Sequence, residues 1–289
     1  MKKRLDTINL FYVPALILFA LFVIYPFFKG VYLSFTNWNG YSRSFKMIGL
    51  KNYLNLFKDK NVHRAFANTL VYGVGSTIIQ NVLGVLLAVF LNRKFRGRSL
   101  VRTVIYLPVM IAPLIMGYVM YFFFNYNRGA INDILKLFGA APVDWLANGN
   151  RAVFILTLVN SLQFVGISMV IYLAGLQNIP SMYYEAAEID GIWTGQRFFY
   201  ITLPLLMPAI TSSVTLNLIG GLKLFDVISA LTGGGPGYDT HSLSTLIHKY
   251  YFGGERAGYA SAIGLVFFVF IMVVSNVVVK ALQRRQVEL

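Results

Sequence analysis

The sequence predicts an all-α, polytopic membrane protein with six transmembrane helices. Two observations carry this. First, 57% of the residues are hydrophobic and only 12% charged, against about a quarter charged in soluble domains. Second, six uncharged runs are each long enough to cross a bilayer: Thr7–Phe28, Ala65–Asn92, Thr103–Asn127, Ala152–Tyr184, Phe198–Leu222 and Ala257–Val279. A hydrocarbon layer about 30 Å thick needs about 20 residues of helix. Backbone groups of a single segment in lipid can pair internally only as a helix, which excludes strands. Spans are expected at about 7–28, 67–91, 103–126, 152–177, 201–222 and 257–279, within one membrane domain covering 1–289.

The first run follows Met1-Lys-Lys-Arg4 and is long for the apolar core of a signal peptide. Tyr25-Pro-Phe-Phe28 offers no small-residue cleavage site, so a retained first helix is expected. The connector Ser34–Arg64 carries Trp38-Asn-Gly40 and Gly49-Leu-Lys-Asn-Tyr53, turn and aromatic residues suited to an interfacial cover. Between the second and third runs, Arg93–Arg102 holds five positive residues in ten.

Six helices put both ends on one side. With the termini in the cytoplasm, 12 of the 25 Lys and Arg residues lie inside and 13 outside. The positive-inside rule is undecided by count, although the density at Arg93–Arg102 and the basic tails favour a cytoplasmic placement. The net charge of +14 is scattered over loops and tails and forms no basic groove. Anionic lipid headgroups explain it more simply than nucleic acid does. The absence of cysteine excludes disulfides and thiolate metal sites.

The connector 178–203 has the opposite charge. Between Asn178 and Leu203 the charged residues are Glu185, Glu188, Asp190 and Arg197. Pro180 ends the preceding segment, and Ser181 is placed to cap a short helix over Met182–Asp190. Glu185 lies in its early turns, where negative charge meets the positive end of the helix dipole. Ala186 and Ala187 leave a flat surface for close approach, Gly191 permits a turn, and a second helical piece is expected over Ile192–Tyr200.

Glu185-Ala186-Ala187, Gly191 and Ile201-x-Leu203-Pro204 match at every fixed position the motif of permease subunits of ATP-binding-cassette importers. Further segments resemble sugar-importer permeases: Phe95-Arg-Gly-Arg98, Leu107-Pro108, Gly175-Leu-Gln-Asn-Ile-Pro180, Phe225-Asp226 and Leu231-Thr-Gly-Gly-Gly-Pro236. Within that group the chain resembles the maltose-type first permease, from about Phe22 to Val279. It departs at Leu162 and Phe164, where similar permeases often have Trp and Gly.

The resemblance implies a type I importer permease fold in the bacterial cytoplasmic (inner) membrane, with both termini cytoplasmic. It implies a second, similar permease, a cytoplasmic ATPase dimer, an extracytoplasmic solute-binding protein and a sugar or oligosaccharide substrate. Glu185, Ala186, Ala187 and Gly191 would couple to the ATPase. No phosphate loop occurs here, and the chain contains no Gly-Lys pair. No enzymatic activity and no cofactor are therefore expected in this chain, with ATP and Mg belonging to the partner.

Polar residues within the runs are candidates for the solute path. Asn160 and Gln163 are three apart on one helical face, and Asn217 lies in the fifth run. The bland alternative is that such side chains cross-link helices. Ser212, Ser213, Thr215 and Asn276 raise the same choice. Lys223 and Asp226, three apart, are expected to pair with each other, and the Gly233–Gly237 loop is a candidate contact for the binding protein. His63, His241 and His248 are too scattered for a metal site and read as loop histidines. The competing function is a self-sufficient secondary carrier or channel, which would need carboxylates or histidines for ion coupling inside the membrane; none lies in the six runs.

Overall fold

The computed structural model describes residues 12–286, so Met1–Arg4 and the start of the first run lie outside the described residues. The described chain is helical apart from turns and one isolated antiparallel bridge, Thr36 to Met47. Four helices are long and apolar enough to cross a membrane: α1 (Val13–Ser34), α3 (Lys60–Asn92), α7 (Gly149–Gln177) and α13 (Ala257–Gln283). Two bent pairs are long and apolar enough only when taken together, α4 (Arg98–Met110) with α5 (Pro113–Phe124), and α9 (Thr194–Leu205) with α10 (Met207–Leu222). Short helices complete the chain: α2 (Lys51–Leu56), α6 (Ala130–Leu137), α8 (Met182–Ile189), α11 (Asp226–Leu231) and α12 (Leu243–His248).

Both bends have a covalent cause. Between α4 and α5, Ile111 and Ala112 are extended and Pro113 opens the second piece, giving a 99° bend. Proline lacks the N–H that would continue the ladder and drives the preceding residue away from helix. The Ile111 carbonyl freed there accepts a bond from Gln163 Nε2 at 2.9 Å, as a backbone group at membrane depth requires. Between α9 and α10 the 69° bend falls at Leu206, flanked by Pro204 and Pro208.

Contacts divide the chain into two units, residues 1–59 with 246–268 and residues 60–245 with 269–289. In the first, the carbonyls of Ser34 and Thr36 both accept from Asn52 Nδ2 at 2.8 Å. Gly258 donates its N–H to the Trp38 carbonyl at 2.8 Å. Tyr250 and Tyr259 both donate to Asp59 Oδ2 at 3.0 Å, and the Arg256 guanidinium lies over both rings.

The second unit is built on α3, α7 and α10, which meet through small residues. A Cβ at Gly84 of α3 would sit 2.5 Å from Ser168 Cβ of α7. Where α3 crosses α10, a Cβ at Gly221 would lie 2.8 Å from the Tyr72 carbonyl oxygen and 3.0 Å from Gly73 Cα. Helices in lipid gain little from apolar burial against one another, so close backbone approach and interhelical hydrogen bonds hold them. Gln80 Nε2 donates to the Asn160 carbonyl at 3.1 Å, and Tyr172 OH donates to Asn81 Oδ1.

The connector 125–148 is organised around Asn132 of α6, which is fully buried. Its Nδ2 donates to the carbonyls of Asn125, Tyr126 and Val143, and its Oδ1 accepts from Val143 N and Trp145 Nε1 at 3.1 and 2.9 Å.

Candidate functional site

Two places collect the residues singled out in the sequence. One is the acidic helix α8. Ser181 occupies its N-cap position but its hydroxyl makes no capping bond, and Glu185 is the acidic residue of the first turn. The helix ends in a Schellman turn: Gly191, at φ +70°, donates to the Glu188 carbonyl at 3.2 Å and Ile192 donates to that of Ala187 at 3.0 Å. This is the left-handed C-terminal turn that glycine suits best. The next helical piece begins at Thr194, after an extended Trp193, rather than at Ile192.

Spacing by 3.6 residues sorts α8 into two faces. Tyr184 packs against the cluster of Leu173, Leu176, Ile179 and Leu206, and Ala187 is buried on the same side. Met182, Glu185, Ala186 and Ile189 form the outer stripe, and Ile189 is 87% exposed. The two alanines therefore part, one to the inside and one to the surface. The inner side is pinned to α9: Glu188 Oε1 meets Arg197 Nη1 at 3.0 Å, and the Arg197 guanidinium lies 5.7 Å from the centre of the Tyr184 ring. What results is an apolar-acidic knob on a fixed base.

The second place is a cavity of about 290 Å³ lined by residues of α3, α7 and α10, including Asn160 and Asn217. Both amides also bridge helices. Asn160 Nδ2 donates to Ser76 Oγ at 3.0 Å, and Asn217 Nδ2 donates to Ser168 Oγ at 2.6 Å. Gln163 is not among the lining residues; its amide goes to the Ile111 carbonyl. Gln80, absent from the sequence-level candidates, lines the same cavity. It is only 2% exposed, and its Oε1 has no partner. Ser76, Thr77 and Asn81 beside it are polar too, so the sequence did not single it out, and only the packing shows which way that helix face points.

Other polar groups are satisfied within their own helices. Ser212, Thr215 and Asn276 each bond a carbonyl four residues back, as hydroxyl and amide side chains commonly do in helices. Lys223 and Asp226 do not form the expected ion pair. The helix ends at Lys223 and Phe225 is non-helical, so the three-residue spacing no longer stacks the two side chains. Both are exposed at the cavity lining instead.

Of the three histidines expected in loops, only His241 lies in one, and it is buried; His63 is in α3 and His248 ends α12. The His241 Nδ1 lies 3.0 Å from Thr245 Oγ1, and its ring fills the space a Cβ on Gly234 would need. The glycine loop is tied to α3, with Asn68 Nδ2 donating to the Asp239 and His241 carbonyls and Arg64 pairing with Asp239 at 3.0 Å. Among the described residues no three His, Asp or Glu side chains gather as a metal site.

Residues 80–288 match the family described as "Binding-protein-dependent transport system inner membrane component". The chain is 35% identical over 277 residues to the multiple sugar-binding transport system permease protein MsmF of Streptococcus mutans, covering 96% of this chain and 95% of the relative. It is 33% identical over 259 residues to the trehalose/maltose transport system permease protein MalF of Thermococcus litoralis, covering 90% and 88%. Among solved structures it resembles a chain of a bacterial ABC transporter involved in import of the acidic polysaccharide alginate, with TM-score 0.83, 26% identity and coverage of 96% and 95%. It also resembles a chain of the alginate transporter solved in complex with a pentasaccharide-bound periplasmic protein, with TM-score 0.79, 27% identity and coverage of 95% and 92%. The broken helices, the small-residue crossings and these matches lead to one assignment: the chain belongs to the inner-membrane permease family of binding-protein-dependent transport systems.

Proposed function

We propose that this chain is the transmembrane permease subunit of an ATP-driven, binding-protein-dependent importer of a sugar or oligosaccharide. It forms half of the solute pathway, beside a second permease. A separate cytoplasmic ATPase dimer hydrolyses ATP, an extracytoplasmic protein delivers the solute, and both termini lie in the cytoplasm. The observation that carries the reading is the knob at α8, whose exposed Met182, Glu185, Ala186 and Ile189 stand on a base fixed by the Glu188–Arg197 pair.

In this reading α8 enters a cleft of the ATPase, where Glu185 meets basic groups and the apolar stripe is covered. Closure of the ATPase dimer moves α8, and the Schellman turn with the ion pair passes that motion to α9 and α10 as a rigid-body displacement. Such a step is decisive only if it shifts a two-state equilibrium by several kcal/mol, so a firm base for α8 matters. Asn160, Asn217 and Gln80 supply amide groups to the cavity. Sugar hydroxyls suit such donors and acceptors, and the sugar-transport names of the relatives support that substrate class.

The test is reconstitution. Vesicles holding this chain with the second permease and the ATPase should take up solute only with ATP and loaded binding protein. Glu185→Lys, Ile189→Lys and Gly191→Pro should lose ATPase co-purification and uptake while the chain still inserts. Uphill uptake by this chain alone would overturn the reading in favour of a secondary carrier.

A further inference from the structure

A groove of about 290 Å³ runs between α4 and α7, away from the cavity described above. Thr103, Tyr106, Leu107 and Met110 form one wall at helical spacing, and Met169, Val170 and Leu173 form the other. The stripe from residue 103 to 110 is about 10 Å long, roughly two thirds of a 15 Å leaflet. Met110 and Leu107 are exposed, so the groove opens outward. Arg102 lines one end of it.

That end is strongly basic. Arg98 stands one turn before Arg102 on α4, and Arg93, Lys94 and Arg96 precede it with no acidic residue among them. None of the five takes part in an ion pair among the described residues. Arg102 is held in place by its Nη2, which donates to the Leu91 carbonyl at 2.9 Å, while its buried Nε has no partner. A cation fixed at the end of an open apolar groove calls for an amphiphile with an anionic head. A free phosphate would leave the apolar walls unused, and an uncharged lipid would leave the guanidinium groups unmatched.

We infer that this groove is a binding site for one anionic phospholipid. Its phosphate engages Arg98 and Arg102, and one acyl chain lies along Tyr106, Leu107, Met110 and Val170. Basic pockets between membrane helices at the cytoplasmic boundary recognise anionic headgroups in this way. The site needs no transported solute and is independent of the reading of α8.

The test uses the full-length chain within its detergent-extracted complex, titrated with phosphatidylglycerol or phosphatidylcholine and read by native mass spectrometry. One phosphatidylglycerol per copy should be retained where phosphatidylcholine is stripped. Arg98→Gln should lower retention about fivefold, the effect of one cation near an anionic headgroup. Val170→Trp, which fills the groove, should lower it further, and glycerol phosphate at the same concentration should not compete. Arg102→Gln is avoided because that side chain also holds the Leu91 carbonyl. Equal retention of both lipids, or wild-type retention in both variants, overturns the proposal. The chain has no cysteine, so Val170→Cys can carry a single photo-crosslinker. Cross-linking to lipid supports the site; cross-linking to another protein chain assigns the groove to a subunit interface and overturns it.

Discussion

Arg197 Nη1 lies 3.0 Å from Glu188 Oε1, joining α8 to α9 across nine residues of chain. The pair is exposed on the Glu188 side, and such contacts contribute about 0–1 kcal/mol to stability. Its value is geometric: it fixes the angle at which the knob leaves the membrane segment. Arg197→Ala is therefore expected to leave thermal unfolding nearly unchanged while lowering transport-coupled ATP hydrolysis several-fold. The charge-swapped pair Glu188→Arg with Arg197→Glu should recover part of the loss. A variant that melts normally and couples normally would remove the ion pair from the mechanism.

At Gly191 the φ of +70° is occupied with open space around the position. A side chain there is penalised by conformation and not by collision, by about 1–2 kcal/mol for an ordinary L-residue. Asn tolerates this region better. Uptake should therefore fall in the order Gly191→Asn, Gly191→Ala, Gly191→Pro, the last also losing the N–H to the Glu188 carbonyl. Uptake measured at matched expression checks the order; a Pro variant as active as the Asn variant contradicts it.

Asn160 holds two positions at once, bonding Ser76 Oγ and lining the cavity. Comparing variants separates the roles. Ser76→Ala removes the interhelical bond and leaves the amide, whereas Asn160→Ala removes both. Solute-stimulated ATPase activity should lose about two- to tenfold in apparent affinity for Asn160→Ala, the range of one hydrogen bond, and change little for Ser76→Ala. Gln80→Leu should resemble Asn160→Ala. Equal effects for Ser76→Ala and Asn160→Ala would reduce Asn160 to a helix cross-link.

Asn132 makes five hydrogen bonds that hold the connector 125–148 together. Asn132→Ala should cost about 2–4 kcal/mol, since several buried backbone groups lose their partner together. A lowered melting temperature in detergent, with a red shift in the emission of Trp145, which is half-buried and bonded to Asn132, is the expected signature. An unchanged melting temperature would mean that the connector is held by something else.

The long runs were legible because apolar length alone decides whether a segment can lie in lipid, and every run from Ala65 onward contains a helix or bent pair of that kind. The acidic loop was legible because Glu185, Ala186, Ala187 and Gly191 sit at fixed intervals, and the positive φ of Gly191 is what such a glycine is for. The errors have separate causes. Pairing Lys223 with Asp226 assumed a continuous helix, and the chain breaks between them. Ser181 was read as a cap from its type, but its side chain makes no capping bond. Gln80 was passed over because an amide in an apolar segment carries no mark of which way it faces until its neighbours are in place.

Where α3 crosses α10, bare backbone meets bare backbone at Gly73 and Gly221. The Leu222 side chain also fits into the notch that Gly73 leaves, so the seam is keyed as well as close. A Cβ at Gly221 would meet backbone, which cannot step aside, and one at Gly73 would have to displace Leu222. Any larger residue at either glycine would therefore force the two rods apart.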